Sequence, residues 1–416
     1  MTTLKTTYDP EKWRSYFPIL QRRLYNRPLI YLDNTATSQT PEPVVEAITA
    51  GYTTAKANVH RGVHTLSQEA TARQEEARER VARFINARST KEIIFTRGTT
   101  EALNLVASSF GGTRLKAGDE LILTVMEHHA NIVPWQLLQN RIPFKIRVVP
   151  IQSDGTLDME VFKSLISERT RIVSICHASN VLGTINPISE ITAIAHARGI
   201  PVVVDGAQAV AHQRVDVQAL DVDFYTFSLH KMYGPSGVGV LYGRKELLEE
   251  MPPYQGGGEM ISHVSFEGTT FAELPYKFEA GTPDFIDIAA VPAAIDFIEK
   301  VGYDNIAAHE RMLLEHTTDR LVKEIPGINI YGTTSDKCAI ISFNINHEHN
   351  YDVGMLLDKL GIAVRTGHHC AQPLMESLGI TGCARASFAL YNTMSEADAF
   401  VDSLKRVAAM LGRSHL

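Results

Sequence analysis

Between about residues 90 and 245, short runs rich in β-branched residues alternate with stretches of helical pattern, and nothing else in the 416-residue chain constrains its fold as strongly. The runs lie at 92–96, 120–125, 146–150, 171–177, 201–205, 223–227 and 237–242. Between several of them apolar residues recur at helical spacing, as at 100–109 and at 188–198, the latter closed by Gly199. Strands separated by helices cannot pair through tight hairpins. Each helix instead returns the chain to lay the next strand beside the last, which builds a mainly parallel, doubly wound α/β sheet.

That rhythm breaks at 251–285, where Pro252-Pro253, Gly256-Gly257-Gly258 and Gly281-Thr282-Pro283 predict an irregular segment folded over the sheet's edge. From about residue 290 a long helical pattern leads into a second α/β unit, with strands near 339–345 and 363–365 and a final helix over about 396–411. We expect a large domain over 26–295 and a smaller one over 1–25 and 296–416. An apolar content of 44% and a charged content of 21% are those of a soluble globular protein. A formal net charge of −7 lacks the basic surface of a nucleic-acid binder. No run approaches the 18 or so apolar residues that span a bilayer, and residues 1–10 are too polar for a secretion signal. The four cysteines, Cys176, Cys338, Cys370 and Cys383, are widely spaced without a Cys-x-x-Cys pair. They read as reduced thiols of a cytoplasmic protein, at least one of them free for chemistry.

In open α/β sheets, ligands bind outside the carboxyl ends of the strands, and here those ends carry polar residues out of keeping with the apolar runs before them. The run at 92–96 leads into Arg97-Gly98-Thr99-Thr100-Glu101 at a helix start, where free N–H groups and the dipole favour a phosphate. The run at 120–125 leads into Glu127-His128-His129, and that at 171–177 into Ser179-Asn180. The run at 201–205 ends in Asp205, with Gln208 three residues on, and that at 223–227 leads into Ser228-Leu229-His230-Lys231. Each taken singly reads better as a cap or turn residue. An acid at the end of a buried strand, however, needs a cationic or hydrogen-bonding partner. Five such ends on one edge suit pyridoxal phosphate (PLP), which requires a lysine to bond its aldehyde, an acid for its pyridine nitrogen, a phosphate seat and a flat group over the ring.

The chain resembles the fold-type-I PLP enzymes of the aspartate-aminotransferase class, and within them the SufS-type group II cysteine desulfurases of aminotransferase class V. The resemblance runs from Tyr31-Leu-Asp-Asn-Thr-Ala36 and Val59-His-Arg-Gly-Val-His-Thr-Leu-Ser67 through Arg97-Gly-Thr-Thr-Glu101 and Glu127-His-His-Ala-Asn-Ile-Val-Pro-Trp135. It continues in Ser179-Asn-Val-Leu-Gly-Thr184, Val204-Asp-Gly-Ala-Gln-Ala209 and His230-Lys-Met-Tyr-Gly-Pro235. It ends in Phe278-Glu-Ala-Gly-Thr-Pro283, Arg365-Thr-Gly-His-His-Cys-Ala-Gln-Pro373 and Ala386-Ser-Phe388. The resemblance implies that Lys231 bonds PLP and later moves the α-proton, that Asp205 pairs with the pyridine nitrogen, and that Gln208 meets the phenolic oxygen. It implies that His128 stacks on the ring and assists proton transfer, and that Thr100, Ser228 and His230 hold the phosphate with Thr99 in the same turn. Asn180, Arg385 and Arg365 are implied at the substrate, Arg385 clamping its carboxylate bidentately. Thr282 matches the position that reaches the partner subunit's phosphate, which implies a homodimer with shared active sites. Leu229 departs from the glycine usual there. If that glycine serves local packing, leucine is tolerated; if it needs positive φ, the phosphate contacts of Ser228 and His230 shift. We expect tolerance.

Cys370 follows two imidazoles and Arg365 on a short loop, an electropositive setting that favours a thiolate. Cys176, Cys338 and Cys383 read as structural. A metal held by His368-His369-Cys370 is not expected, because three consecutive residues rarely point at one ion and no cysteine pair sits at zinc spacing. The implied reaction takes L-cysteine to L-alanine and leaves a persulfide on Cys370. A SufE-like or SufU-like acceptor protein would then carry the sulfur to iron–sulfur cluster assembly. Selenocysteine lyase and cysteine-sulfinate lyase share the whole constellation and are the alternatives, while an aminotransferase has no use for Cys370. A nicotinamide dehydrogenase would want Gly-x-Gly-x-x-Gly after an early strand, and none follows one here. A non-catalytic sulfur carrier would not need the PLP constellation.

Overall fold

The computed structural model describes residues 8–346 and 348–413; residues 1–7 of the expected N-terminal segment lie outside them. Seven of the short runs become one sheet. Its strands in chain order are β1 (Ile93–Thr96), β2 (Glu120–Thr124), β3 (Lys145–Val149), β4 (Thr170–Cys176), β5 (Val202–Asp205), β6 (Phe224–Ser228) and β7 (Gly239–Gly243). Across the sheet the order is β1-β7-β6-β5-β4-β2-β3. Strands β2 to β6 pair in parallel, and β7 runs antiparallel to both β1 and β6. Every residue of β2, β5, β6 and β7 is buried, as the central strands of a sheet covered on both faces must be.

Helices start and stop where their local chemistry directs. Helix α1 (Thr65–Phe84) is capped by the His64 side chain, which accepts from Ser67 N. Helix α2 (Thr99–Leu105) opens directly after Gly98 at the end of β1. Helix α3 (Ile188–His196) ends before Gly199, whose φ of 65° turns the chain back into β5. Helix α4 (Tyr303–Glu324) then leads to a second sheet of β8 (Ile328–Tyr331), β9 (Ile340–Ile345), β10 (Arg365–Gly367) and β11 (Cys383–Ser387), ordered β8-β9-β11-β10 and antiparallel throughout. The expected strand near 363–365 divides. Ile362–Ala363 pairs in parallel with Ile30–Tyr31, and β10 joins the second sheet. Helix α5 (Asn350–Lys359) precedes that split, α6 (Gln372–Ser377) follows the cysteine loop, and α7 (Met394–Arg413) closes the chain.

The segment before residue 26 reaches both units. Trp13, Phe17 and Leu20 enter the large sheet's hydrophobic cluster, while Arg14 pairs with Glu396 at 2.9 Å at the start of α7. Asn34 donates to Ser387 O at 2.6 Å on β11. The chain from 31 to 36 is therefore stitched to the second sheet, while Thr35 and Ala36 line a cavity shared with residues at the carboxyl ends of the first.

Candidate active site

The parallel strands deliver their polar termini to one cavity of about 240 Å³. Of the thirteen residues singled out in the sequence, twelve line it: Thr99, Thr100, His128, Asn180, Asp205, Gln208, Ser228, His230, Lys231, Arg365, Cys370 and Arg385. Thr282 does not. It is exposed on the irregular segment, beside a separate cleft shared with Arg97, Glu101 and Tyr254.

At the floor, β5 ends in Asp205, 5% exposed, which accepts a hydrogen bond from Ala207 N at 3.0 Å. Burial pushes its carboxyl pKa up, opposed by that N–H and by the charge of Lys231. Among the described residues no basic group forms an ion pair with it. From β6 the chain passes through Ser228 into one turn of 3-10 helix, Leu229–Lys231. Lys231 retains some exposure toward the cavity, and burial depresses its pKa while Asp205 acts against the shift. Leu229 does not take positive φ and is fully buried, so the leucine is accommodated as packing and the turn beneath Ser228 and His230 is kept. Its cost falls on Gly234, where an added Cβ would lie 2.9 Å from Leu229 Cβ.

At the start of α2, Ser228 Oγ accepts from Thr99 N at 2.8 Å and lies 2.9 Å from Thr99 Oγ1, so those two groups hold one another. Thr100 is open to the cavity. Strand β7 passes directly under this turn: an added Cβ at Gly239 would lie 2.4 Å from Gly98 Cα. The His230 ring nitrogen Nδ1 lies 3.2 Å from Thr37 Oγ1. Burial, reinforced by Lys231, pushes its imidazole down to about 4.

Above the floor, His128 Nδ1 accepts from Ala130 N at 3.0 Å, which places the neutral ring's proton on Nε2. Burial first, and then Lys231, depress this imidazole to about 4. Gln208 Nε2 donates to Thr35 O at 2.9 Å. Arg385, 2% exposed, donates through Nη1 to Asn180 O at 2.8 Å and through Nη2 to Asp33 at 3.1 Å. Asp33 also lies 3.7 Å from Arg365. The side-chain amide of Asn180 is not turned to the cavity alone, because it donates to His369 O at 2.8 Å.

Of the four thiols, Cys176, Cys338 and Cys383 are buried and Cys370 is partly exposed. Cys176 also lines the cavity, but burial with Glu127 and Asp205 nearby drives its pKa far above the ordinary range. Burial raises Cys383 to about 11. His369 turns away from Cys370 to Cys383 O at 3.0 Å. The side-chain atoms that do converge are a nitrogen of His129, a nitrogen of His368 and Cys370 Sγ, all within 4.8 Å of one another.

Several contributors were not legible in the sequence. Asp33 and Thr35 lie in a segment quoted above for its resemblance alone. Glu127 is fully buried and accepts from Thr124 Oγ1 and Asn131 Nδ2, both at 2.6 Å, and from Cys176 N at 3.1 Å. It thereby fastens the His128 loop to β4. Burial raises it to about 7 against those three donors. His177, just past β4, donates its backbone N–H to Asp205 O at 2.8 Å, and its ring lies between Tyr225 Oη and Gln213 Nε2, each at 2.9 Å.

His177 makes the strand ends sensitive to acid. Burial lowers its pKa to about 4 from an ordinary value of about 6.5. The stability it lends is complete above pH 6.5 and is lost as pH falls through 4. In urea unfolding between pH 7 and pH 4, the His177→Gln protein should escape about 3 kcal/mol of the destabilisation that the wild type suffers. Parallel pH profiles for the two proteins would refute this assignment.

PLP fits this cavity. A buried acid without a cation, Thr35 Oγ1 and Arg385 Nε buried without partners, and a lysine amine among hydroxyls and imidazoles are the complement of that cofactor.

The family described as aminotransferase class-V matches residues 30–400. A cysteine desulfurase of Cronobacter sakazakii (strain ATCC BAA-894) is 52% identical over 407 residues, 98% of this chain and 100% of that protein. One of Salmonella typhi is 51% identical with the same coverage. Among solved structures, the Escherichia coli cysteine desulfurase CsdA in its S-sulfonic acid form is similar with a TM-score of 0.90 at 41% identity, over 97% of this chain and 99% of that one. The apo cysteine desulfurase of Thermococcus onnurineus NA1 gives 0.91 at 40% identity, over 96% and 98%.

Proposed function

The chain belongs to the aminotransferase class-V family, and from that premise we propose that its cavity is the active site of a PLP-dependent cysteine desulfurase in which Cys370 receives the sulfur. Its fold is fold-type I of the PLP enzymes. The observation that carries the reading is the meeting of Lys231, Asp205 and Cys370 in one cavity.

PLP, when bound, supplies an electron sink for the substrate's α-carbon. Lys231 would hold it and take the α-proton on Nζ, a task suited to an amine whose pKa burial depresses. Asp205 would hold the pyridine nitrogen, Gln208 the phenolic oxygen, and Thr99, Thr100, Ser228 and His230 the phosphate. His128, neutral at working pH with its proton on Nε2, would cover the ring. Arg385 would bind the substrate carboxylate with Asn180 and Arg365 beside it, the guanidinium kept in place by Asp33. The Cys370 thiolate attacks the sulfur of L-cysteine and a sulfur–sulfur bond forms. The carbon–sulfur bond breaks with its electron pair retained on carbon, which takes a proton and leaves as L-alanine. The persulfide stays on Cys370.

We further propose a homodimer. Thr282 stands outside its own cavity, and the hairpin of Ile261–Ser265 and Gly268–Phe271 leaves Val264, Phe266 and Phe271 exposed, apolar surface suited to a subunit interface. Among the described residues no helix is long and apolar enough to cross a membrane. Four free cysteines suit a reducing cytoplasm.

The short cysteine loop bears on how sulfur leaves. Only four residues separate Arg365 from Cys370, and Pro373 follows closely, so the loop cannot swing the persulfide to a distant acceptor. A SufE-like or SufU-like protein would reach in and carry the sulfur to iron–sulfur cluster assembly. Purified protein given saturating L-cysteine should form alanine, and should do so faster with an acceptor protein but not with the acceptor's cysteine mutated. A colourless protein that forms no alanine would overturn the enzyme reading, and equal rates in all arms without reductant would overturn the acceptor.

A further inference from the structure

We infer that His129 is a positioning residue for Cys370, its backbone N–H and its imidazole Nε2 gripping the cysteine loop at two points, the carbonyl of Cys370 and the N–H of Gln372 just beyond it. The inference rests on Cys370 being the sulfur acceptor, as proposed above.

The loop needs such a grip. His369 and Cys370 take φ of 52° and 55°, two consecutive non-glycine residues in the left-handed region. That conformation is costly for residues with a Cβ and persists only where surrounding contacts impose it. Three residues from elsewhere in the chain bond to the loop. Asn180 Nδ2 donates to His369 O at 2.8 Å, and His369 is itself tied to Cys383 O. Both hold the residue before the thiol. His129 alone, among the described residues outside the loop, bonds to the thiol's own residue and to Gln372 two positions beyond it. Its N–H donates to Cys370 O at 2.7 Å, and its Nε2 accepts from Gln372 N at 3.1 Å, at the start of α6.

This grip is transmitted to the cavity with little slack. His129 follows His128 directly, and Glu127, one residue earlier, is fastened to Thr124, Asn131 and Cys176 N. The position of the thiol is thus referred to the same rigid turn that carries His128 into the cavity. Accepting from Gln372 N requires Nε2 to be unprotonated, so the neutral ring carries its proton on Nδ1. Burial and the neighbouring His368 keep the imidazole below its ordinary range and so preserve that acceptor. His368 Nδ1 is likewise committed, accepting from Cys370 N at 3.1 Å. With an acceptor nitrogen of each ring already in use, the cluster of His129, His368 and Cys370 is built to hold backbone.

Two variants of the holoenzyme separate the grip from bulk. His129→Phe keeps a ring but no acceptor; His129→Gln can place its amide oxygen near the former Nε2. Each is assayed on L-cysteine and on L-cysteine sulfinate, whose leaving group needs less help from a thiol, with Cys370→Ser in parallel. His129→Phe should lose about 10- to 100-fold on L-cysteine, with sulfinate turnover and the cofactor absorption spectrum unchanged, and His129→Gln should recover most of the loss. Wild-type turnover of His129→Phe on L-cysteine, or an equal loss on both substrates, overturns the inference. Should His129→Phe fail to retain cofactor, His129→Asn, whose shorter side chain cannot reach Gln372 N, must be slow where His129→Gln is fast; equal rates overturn it. If Cys370→Ser still turns over L-cysteine, the parent reading fails and this one with it. If Cys370→Ser is inactive and His129→Phe is not impaired, only the positioning role fails.

Discussion

Lys231→Ala should reduce alanine formation from L-cysteine by about 10²- to 10⁴-fold or more, because on the proposed assignment it would remove both the covalent tether for the cofactor and the base that takes the α-proton. The strand ends explain why no other lysine can replace it. Lys231 follows β6 by one turn of 3-10 helix and shares the cavity with Asp205 at the end of the adjacent strand β5. Burial depresses the pKa of its amine, which would suit it to the proposed role of base. Lys337 is the informative control. Burial also lowers its pKa, to about 8, but its Nζ donates to Gly332 O at 2.6 Å and it lines a different groove. Borohydride reduction followed by peptide mapping should find the cofactor on the peptide containing Lys231, and Lys337→Ala should behave as wild type. Cofactor fixed to another lysine would refute the assignment.

Cys370→Ser should lower turnover of L-cysteine by about 100-fold or more while leaving the protein's visible colour intact. The same variant should keep a larger share of its activity on cysteine sulfinate or selenocysteine, whose leaving groups depend less on a thiol. The other three cysteines cannot compensate. Cys176 faces the cavity, yet burial beside Glu127 and Asp205 keeps it a thiol. Cys383, raised to about 11, would be thiolate in only about one molecule in 10⁴ at pH 7. Cys338 is buried, and burial likewise raises its pKa. Alanine at wild-type rates from Cys370→Ser would place the nucleophile elsewhere.

The sheet and the cavity floor were legible because each was written in a contiguous stretch of sequence. A β-branched run ending in a polar residue marks both a buried strand and its open end, and Asp205, Ser228 and Lys231 were found that way. The direction of β7 was not legible, since an apolar run reads alike in either sense, and it is antiparallel in this sheet. Nor were the groups whose significance depends on partners far away in sequence. Asp33 acquires meaning from Arg385, 352 residues on, and His129 from Gln372, 243 residues on. Glu127 and His177 were hidden for a related reason: their effect follows from complete burial, which a single polar residue in a sequence does not disclose. Thr282 stands apart from the cavity of its own chain, beside a separate cleft.

The central claim is that sulfur removed from L-cysteine is first bound to Cys370. The direct measurement is a single turnover with sulfur-labelled L-cysteine, without reductant or acceptor, followed by proteolysis under non-reducing conditions and mass spectrometry of the four cysteine peptides. The account predicts one added sulfur atom on the peptide containing Cys370, close to one per active site and matched by one alanine released. Label on Cys176, Cys338 or Cys383, or alanine released with no sulfur bound to the protein, would contradict it.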